Sequence, residues 1–251
     1  DRIESRGLGD VYKRQGKSTW FGKEPAINKI LKFLPSFILK TLVNSIFGLA
    51  VDDKGKFKFS ENTKVQYNLS DMAQDAVSLM NELQIKKAHI IGASMGGMIT
   101  QLIALDHSDK VLSITPIMTS PGIQNDSLSG PTNGLLEAMK KSFVFNLKGK
   151  LEDGVVEIYR QLTGSRFPFN EADFREKLVP VMTHGNNPFA QHGAAVGASA
   201  DRTNRLSEIK VPTLIIHGTE DAILPIDHGL ALADGIEGSE RLIMDGVGHE
   251  I

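Results

Sequence analysis

Cysteine is absent from all 251 residues, which excludes disulfides, a thiolate nucleophile and zinc–thiolate sites. No sign of charge dominates: 28 Lys and Arg stand against 30 Asp and Glu, a net charge of −2. Nothing electrostatic therefore directs the chain to nucleic acid or to an anionic membrane. Long apolar runs are missing too. The most apolar stretch, Ile27–Ala50, is interrupted by Lys29, Lys32, Pro35 and Lys40, and falls short of the ~20 apolar residues that a spanning helix needs. Ile27, Ile30, Leu31, Leu34 and Ile38 lie near helical spacing, so the stretch reads as one or two amphipathic helices over a core, with a membrane-surface helix as the rival reading. A chain of this length can bury a core as one domain, and its composition leaves the compartment open.

Both ends of the sequence look abrupt. Asp10-Val11-Tyr12-Lys13-Arg14-Gln15 is what GAT GTG TAT AAG AGA CAG encodes, a string similar to a transposon mosaic-end adaptor. Residues 1–15 are therefore expected to be an adaptor-derived scar and are set aside from fold reasoning. At the other end the chain stops at Ile251, two residues after a histidine with a candidate catalytic role. The expectation is a fragment open at both ends.

What is present is an alternation of apolar patterns. Leu69–Leu83 carries a helical stripe, with Ser70 placed to cap its start. Lys87–Ala93 reads as a buried strand, Met95–Asp106 as a helix and Val111–Met118 as a second strand. Alternation resumes with a strand at Val211–Gly218, a helix at Ile226–Ile236 and a strand at Glu240–Asp245. Such βαβ units imply an α/β fold with a parallel sheet. Between them, residues 119–205 show short helical pieces such as Leu135–Leu147 and Val155–Thr163, without a clear strand. This reads as a helical insertion in a core formed by residues 16–118 and 206–251. Phe143, Phe145, Phe167, Phe169 and Phe174 in the insertion either line an apolar pocket or pack on one another.

Gly92-Ala93-Ser94-Met95-Gly96 fits G-x-S-x-G, followed by Gly97. By itself the pattern also describes phosphate-binding or merely tight turns. Here a strand precedes it and a helix follows, the context that lifts a serine hydroxyl above a sheet. Gly92 and Gly96 are expected to leave room where side chains would collide, and the backbone N–H of Met95, opening the helix, to face a developing oxyanion. A serine hydroxyl needs a base with a pKa near 7. His89, His107 and His217 close or open regular elements, His228 begins a helix, and His184 and His192 lie in the insertion. His249, in the Gly246-Val247-Gly248-His249 loop after the last strand, is placed to reach a serine. Asp221 follows the strand that ends on His217, at the carboxyl edge of the sheet where open α/β sheets put their sites. Glu220 is its rival for the acid, with Asp227 and Asp245 behind.

Taken together, Gly92–Gly97, His217-Gly218 with Asp221 and Pro225, and Gly248-His249 resemble the α/β-hydrolase superfamily, in its single-domain, esterase-like form. The order Ser94, Asp221, His249 is the order of that class. The resemblance spans about residues 16–251 and implies a serine hydrolase that cleaves a small carboxylic ester through an acyl-enzyme, without metal or organic cofactor. Gly16-Lys17-Ser18-Thr19 is similar to the loop after the fourth strand of such proteins, so the resemblance implies a partial sheet, lacking the first four strands and the final helix, with flanking helices and a helical cap insertion. Lactone, carbon–carbon-bond and perhydrolase chemistries share the triad. A ligand-binding receptor or pseudoenzyme on the same fold is the reading from a different class.

Overall fold

The computed structural model describes residues 34–58, 67–182 and 189–249. The expectations for residues 1–15 and for Gly16–Thr19, residues 27–33 of the Ile27–Ala50 stretch, and His184 fall outside them. The first described helix, α1 (Ser36–Ala50), buries Leu39 and Val43 and leaves Ile38 38% exposed. Ile38 is thus the one residue of the anticipated spacing that lies in α1, and it is off the inward face, which runs through residues 39 and 43. No described helix is long and apolar enough to cross a membrane.

Helix α2 (Leu69–Glu82) starts one residue before the expected cap. Asn68 rather than Ser70 is the N-cap, accepting from the N–H groups of Ser70 and Asp71, while Asp71 accepts from the Asn68 N–H. This reciprocal box satisfies donors that a helix start otherwise leaves open. Strand β1 (Ala88–Ala93), helix α3 (Met95–Asp106) and strand β2 (Val111–Ile117) follow. Four helices, α4 (Asn133–Leu147), α5 (Leu151–Leu162), α6 (Glu171–Met182) and α7 (Phe189–Gly197), then precede β3 (Leu214–Gly218), α8 (Ile226–Gly235) and β4 (Glu240–Met244). The strands form one parallel sheet in the order β1-β2-β3-β4. Among the described residues β1 pairs with β2 alone.

Period-two alternation divides the sheet into two unlike faces. Ile114, Ile215 and His217 point to a core completed by Met98, Leu102, Leu206 and Leu232. Helix α3 packs on β1 and β2, and α8 packs on β3. Because α3 is enclosed on most sides, its apolar residues run nearly all round it, unlike the one-sided stripe of a surface helix. On the other face Ile91 is 68% and Leu242 49% exposed.

The aromatic residues between β2 and β3 do both things the sequence left open. Phe174 stacks on Tyr159 and Phe169, with centroids 4.5 and 5.4 Å apart, so these rings pack on one another. Phe143 instead lines a cavity of about 190 Å³ bounded by α1, α4 and α5.

A buried polar network ties the end of β2 to its neighbours. The Ser120 carbonyl accepts from Gln101 Nε2 and Arg202 Nη2, and the Ser120 hydroxyl accepts from the Gly122 N–H. His228 Nε2 lies 2.8 Å from the Ser129 carbonyl and must donate to it, so its Nδ1, 2.8 Å from Ser120 Oγ, receives the hydroxyl proton. Burial holds the Arg202 guanidinium down to about 10, and burial likewise pushes His228 below the ordinary histidine value. A depressed histidine stabilises the fold above its unfolded pKa, and this contribution is lost as pH falls through the folded value. Unfolding in urea should therefore show a midpoint that drops between pH 7.5 and pH 5.5, and drops less in His228→Gln; equal drops in the two proteins would contradict this.

Candidate active site

Strand β1 passes into α3 through Ser94, which adopts φ 53° and ψ −121°. A non-glycine residue held there carries about 1–3 kcal/mol of strain, sustained only when its surroundings over-determine it. The Ser94 N–H donates to the Ile117 carbonyl at 2.9 Å, and Thr119 Oγ1 donates to the Ser94 carbonyl at 2.6 Å. A Cβ on Gly92 would lie 2.2 Å from the Gly96 carbonyl oxygen, so the turn closes only with glycine at 92. The expectation for Gly96 itself does not hold: a Cβ there meets nothing within 4 Å. The second tight glycine is Gly97, whose Cβ would sit 2.6 Å from Thr119. Crowding in this turn arises where α3 crosses the ends of β1 and β2, one residue later than the motif suggests.

The three residues named from the sequence converge although 155 positions separate the first from the last. His249 Nε2 lies 2.9 Å from Ser94 Oγ, and His249 Nδ1 lies 2.7 Å from Asp221 Oδ2. Asp221 is buried, and its Oδ1 accepts from the N–H groups of Ile223 at 3.0 Å and Leu224 at 2.8 Å. With Asp221 as a carboxylate acceptor, Nδ1 carries the imidazole proton and Nε2 is free to take one from the serine hydroxyl. Met95 opens α3, so its N–H is among the first-turn donors without an intrahelical partner.

The rival acids have other partners. Glu220 accepts from the Ser165 hydroxyl and the Ser165 N–H, both at 2.7 Å, and these bonds hold its carboxyl below the usual range. Asp227 accepts from the Ser129 N–H, and Asp245 from the Thr219 hydroxyl. Of the rival histidines, His89 pairs with the Ser113 hydroxyl at 2.7 Å, and His217 and His228 are buried.

The histidine loop differs from the flexible segment its glycines suggest. Gly246, Val247 and Gly248 are all buried. The His249 N–H donates to the Leu162 carbonyl at 2.8 Å, the Arg166 N–H to Gly246 at 2.8 Å, and the Glu220 N–H to Val247 at 2.9 Å. A Cβ on Gly248 would lie 2.0 Å from the Leu162 oxygen, one on Gly164 2.2 Å from the Gly246 oxygen, and one on Gly218 2.1 Å from the Val247 oxygen. The glycines permit backbone to lie on backbone. The sequence reading missed Leu162 and Thr119; a carbonyl and a hydroxyl in unpatterned segments leave no signal in one sequence.

Comparison with known proteins agrees with this architecture. Residues 53–251 match the family model described as the alpha/beta hydrolase fold. The chain is 27% identical over 205 residues to a rhodomycin D methylesterase of Streptomyces sp. (strain C5), covering 74% of this chain and 68% of that protein. It is 30% identical over 185 residues to a 2-hydroxy-6-oxononadienedioate/2-hydroxy-6-oxononatrienedioate hydrolase of Pseudomonas sp., covering 70% of this chain and 62% of the relative. An esterase structure from a Rhodococcus species superposes with a TM-score of 0.60 at 15% identity, over 74% of this chain and 67% of that one, which speaks for the fold alone. With a parallel sheet flanked by helices and a family match over most of its length, the chain belongs to the α/β-hydrolase fold family of hydrolases.

Proposed function

We propose that this protein is a serine hydrolase that cleaves a small carboxylic ester, with Ser94 as nucleophile, His249 as base and Asp221 as orienting acid. The observation that carries the reading is the use of both imidazole nitrogens of His249, one toward Ser94 at 2.9 Å and the other toward Asp221 at 2.7 Å. His249 Nε2 takes the Ser94 proton as Oγ attacks the ester carbonyl, and the Met95 N–H faces the oxyanion. His249 then protonates the departing alcohol. Water, deprotonated by the same nitrogen, attacks the acyl-enzyme and returns the serine hydroxyl. No step calls on a metal or an organic cofactor, and the partner is a small molecule rather than nucleic acid. Residues 119–205 would then form the cap over this site.

Carbon–carbon-bond hydrolysis is the second reading. It is favoured by the 30% identity to the Pseudomonas dienedioate hydrolase and separated from esterolysis by the products formed. The ester reading draws on the methylesterase relative. A receptor would need no base aligned on its serine, and His249 is aligned on Ser94 here.

A fluorophosphonate probe should label Ser94, and Ser94→Ala should abolish both the labelling and the turnover of a short p-nitrophenyl ester while the far-ultraviolet circular dichroism stays unchanged. Turnover within tenfold of wild type would place the nucleophile elsewhere. Activity should also be lost toward acid pH, because a protonated imidazole cannot accept the serine proton. A profile flat down to pH 5 would remove histidine as the base.

A further inference from the structure

His217, the penultimate residue of β3, is not in the triad, yet it touches what holds the triad's acid. Its ring is fully buried, with Nε2 2.8 Å from the Leu224 carbonyl. A carbonyl can only accept, so Nε2 carries the proton and Nδ1 is bare. That Nδ1 is buried without a hydrogen-bond partner among the described residues. An apolar side chain of similar size would fill the slot without stranding a polar atom, so the slot favours histidine for its N–H rather than for its volume. Gly229 at the start of α8 makes room for the ring; a Cβ there would lie 2.6 Å from it.

The N–H of His217 closes a ring of contacts around Asp221. Leu224 donates its own N–H to Asp221 Oδ1 at 2.8 Å while its carbonyl accepts from His217. The same His217 nitrogen stands 3.5 Å from Asp221 Oδ2, the oxygen that meets His249. One edge of the imidazole thus anchors the 221–224 turn and adds a positive dipole beside the carboxylate. We propose that His217 is a positioning residue for the hydrolytic reaction, fixing the turn that aims Asp221 at His249 and tempering the carboxylate's pull on the imidazolium. This inference rests on the triad reading of Ser94, Asp221 and His249.

The other titratable groups nearby are accounted for. His228 and Asp227 lie on α8, Glu220 is bonded to Ser165, Asp245 to Thr219, and Arg166 reaches the Asp245 carbonyl. Removing the His217 donor leaves Asp221 with less stabilisation of its own charge. It would then hold the protonated form of His249 more firmly, and the acid limb of reactivity would move to higher pH.

The test measures the rate constant of Ser94 labelling by a fluorophosphonate as a function of pH, which needs no knowledge of the natural substrate. His217→Leu fills the slot without a donor, and His217→Gln places an amide N–H near the position of Nε2. Leucine should slow labelling by about tenfold or more, as misaimed catalytic groups do, and move the acid limb upward. Glutamine should bring the rate back to within about threefold of wild type with the acid limb unmoved. Should the leucine protein fail to fold, His217→Asn replaces it, since its shorter amide cannot reach Leu224 and predicts the same deficit. Wild-type rate and acid limb in the donor-less variant would overturn the proposal, as would a glutamine variant as slow as the donor-less one. Absence of labelling in the wild-type protein would instead remove the triad reading itself, and the proposal with it.

Discussion

The site depends on the backbone of Ser94 being held where an L-residue does not rest by choice. A positive φ at this position turns the chain from the edge of β1 into the axis of α3 within one residue, and the hydroxyl leaves the sheet as a consequence. Two hydrogen bonds from the β2 side and the glycine contact at Gly92 supply the constraint. Each comes from the far end of a strand or the first turn of a helix. The strain is therefore borne by the most regular part of the molecule, where it is least able to relax.

Around that fixed serine Asp221 and His249 are brought in by different means. Asp221 sits on a turn whose own amides fill one carboxylate oxygen, so its orientation is local to residues 221–224. His249 gains little from its own loop. It is set by backbone contact with the end of α5, in a segment remote in sequence. Ser94 is fixed by the sheet, Asp221 by a turn, and His249 by the segment between β2 and β3. Electrostatic preorganisation needs all three to be in place before a substrate arrives.

Much of this was legible in one sequence because the physics involved is local. Helix α3 was read at its observed limits, and the four strands within a few residues, since period-two and helical patterns persist wherever a face is buried. Ser94, Asp221 and His249 were named from turn chemistry and chain order and lie within hydrogen-bonding reach. What could not be read were relations between distant backbones. The glycines of Gly246–Gly248 suggested a mobile loop, whereas their missing side chains admit the Leu162 carbonyl and bury the loop. Gly96 was given a role that belongs to Gly97, because only the three-dimensional path of α3 shows which glycine meets Thr119. In α1, eight large apolar residues can be threaded on more than one helical face, and only the neighbours choose Leu39 and Val43.

The contact of Gly164 and Leu162 with the histidine loop divides the segment between β2 and β3 into two kinds of sequence. Residues 162–166 are in backbone register with His249, so a side chain added at 164 is felt at the base whatever molecule is being bound. Among the described residues no backbone hydrogen bond joins α4 or α6 to the loop, and the cavity beside α4 is lined by residues of α1, α4 and α5. Side chains of α4 and α6 can thus change without touching the backbone that holds His249, whereas a Cβ at 164 cannot be added without moving it.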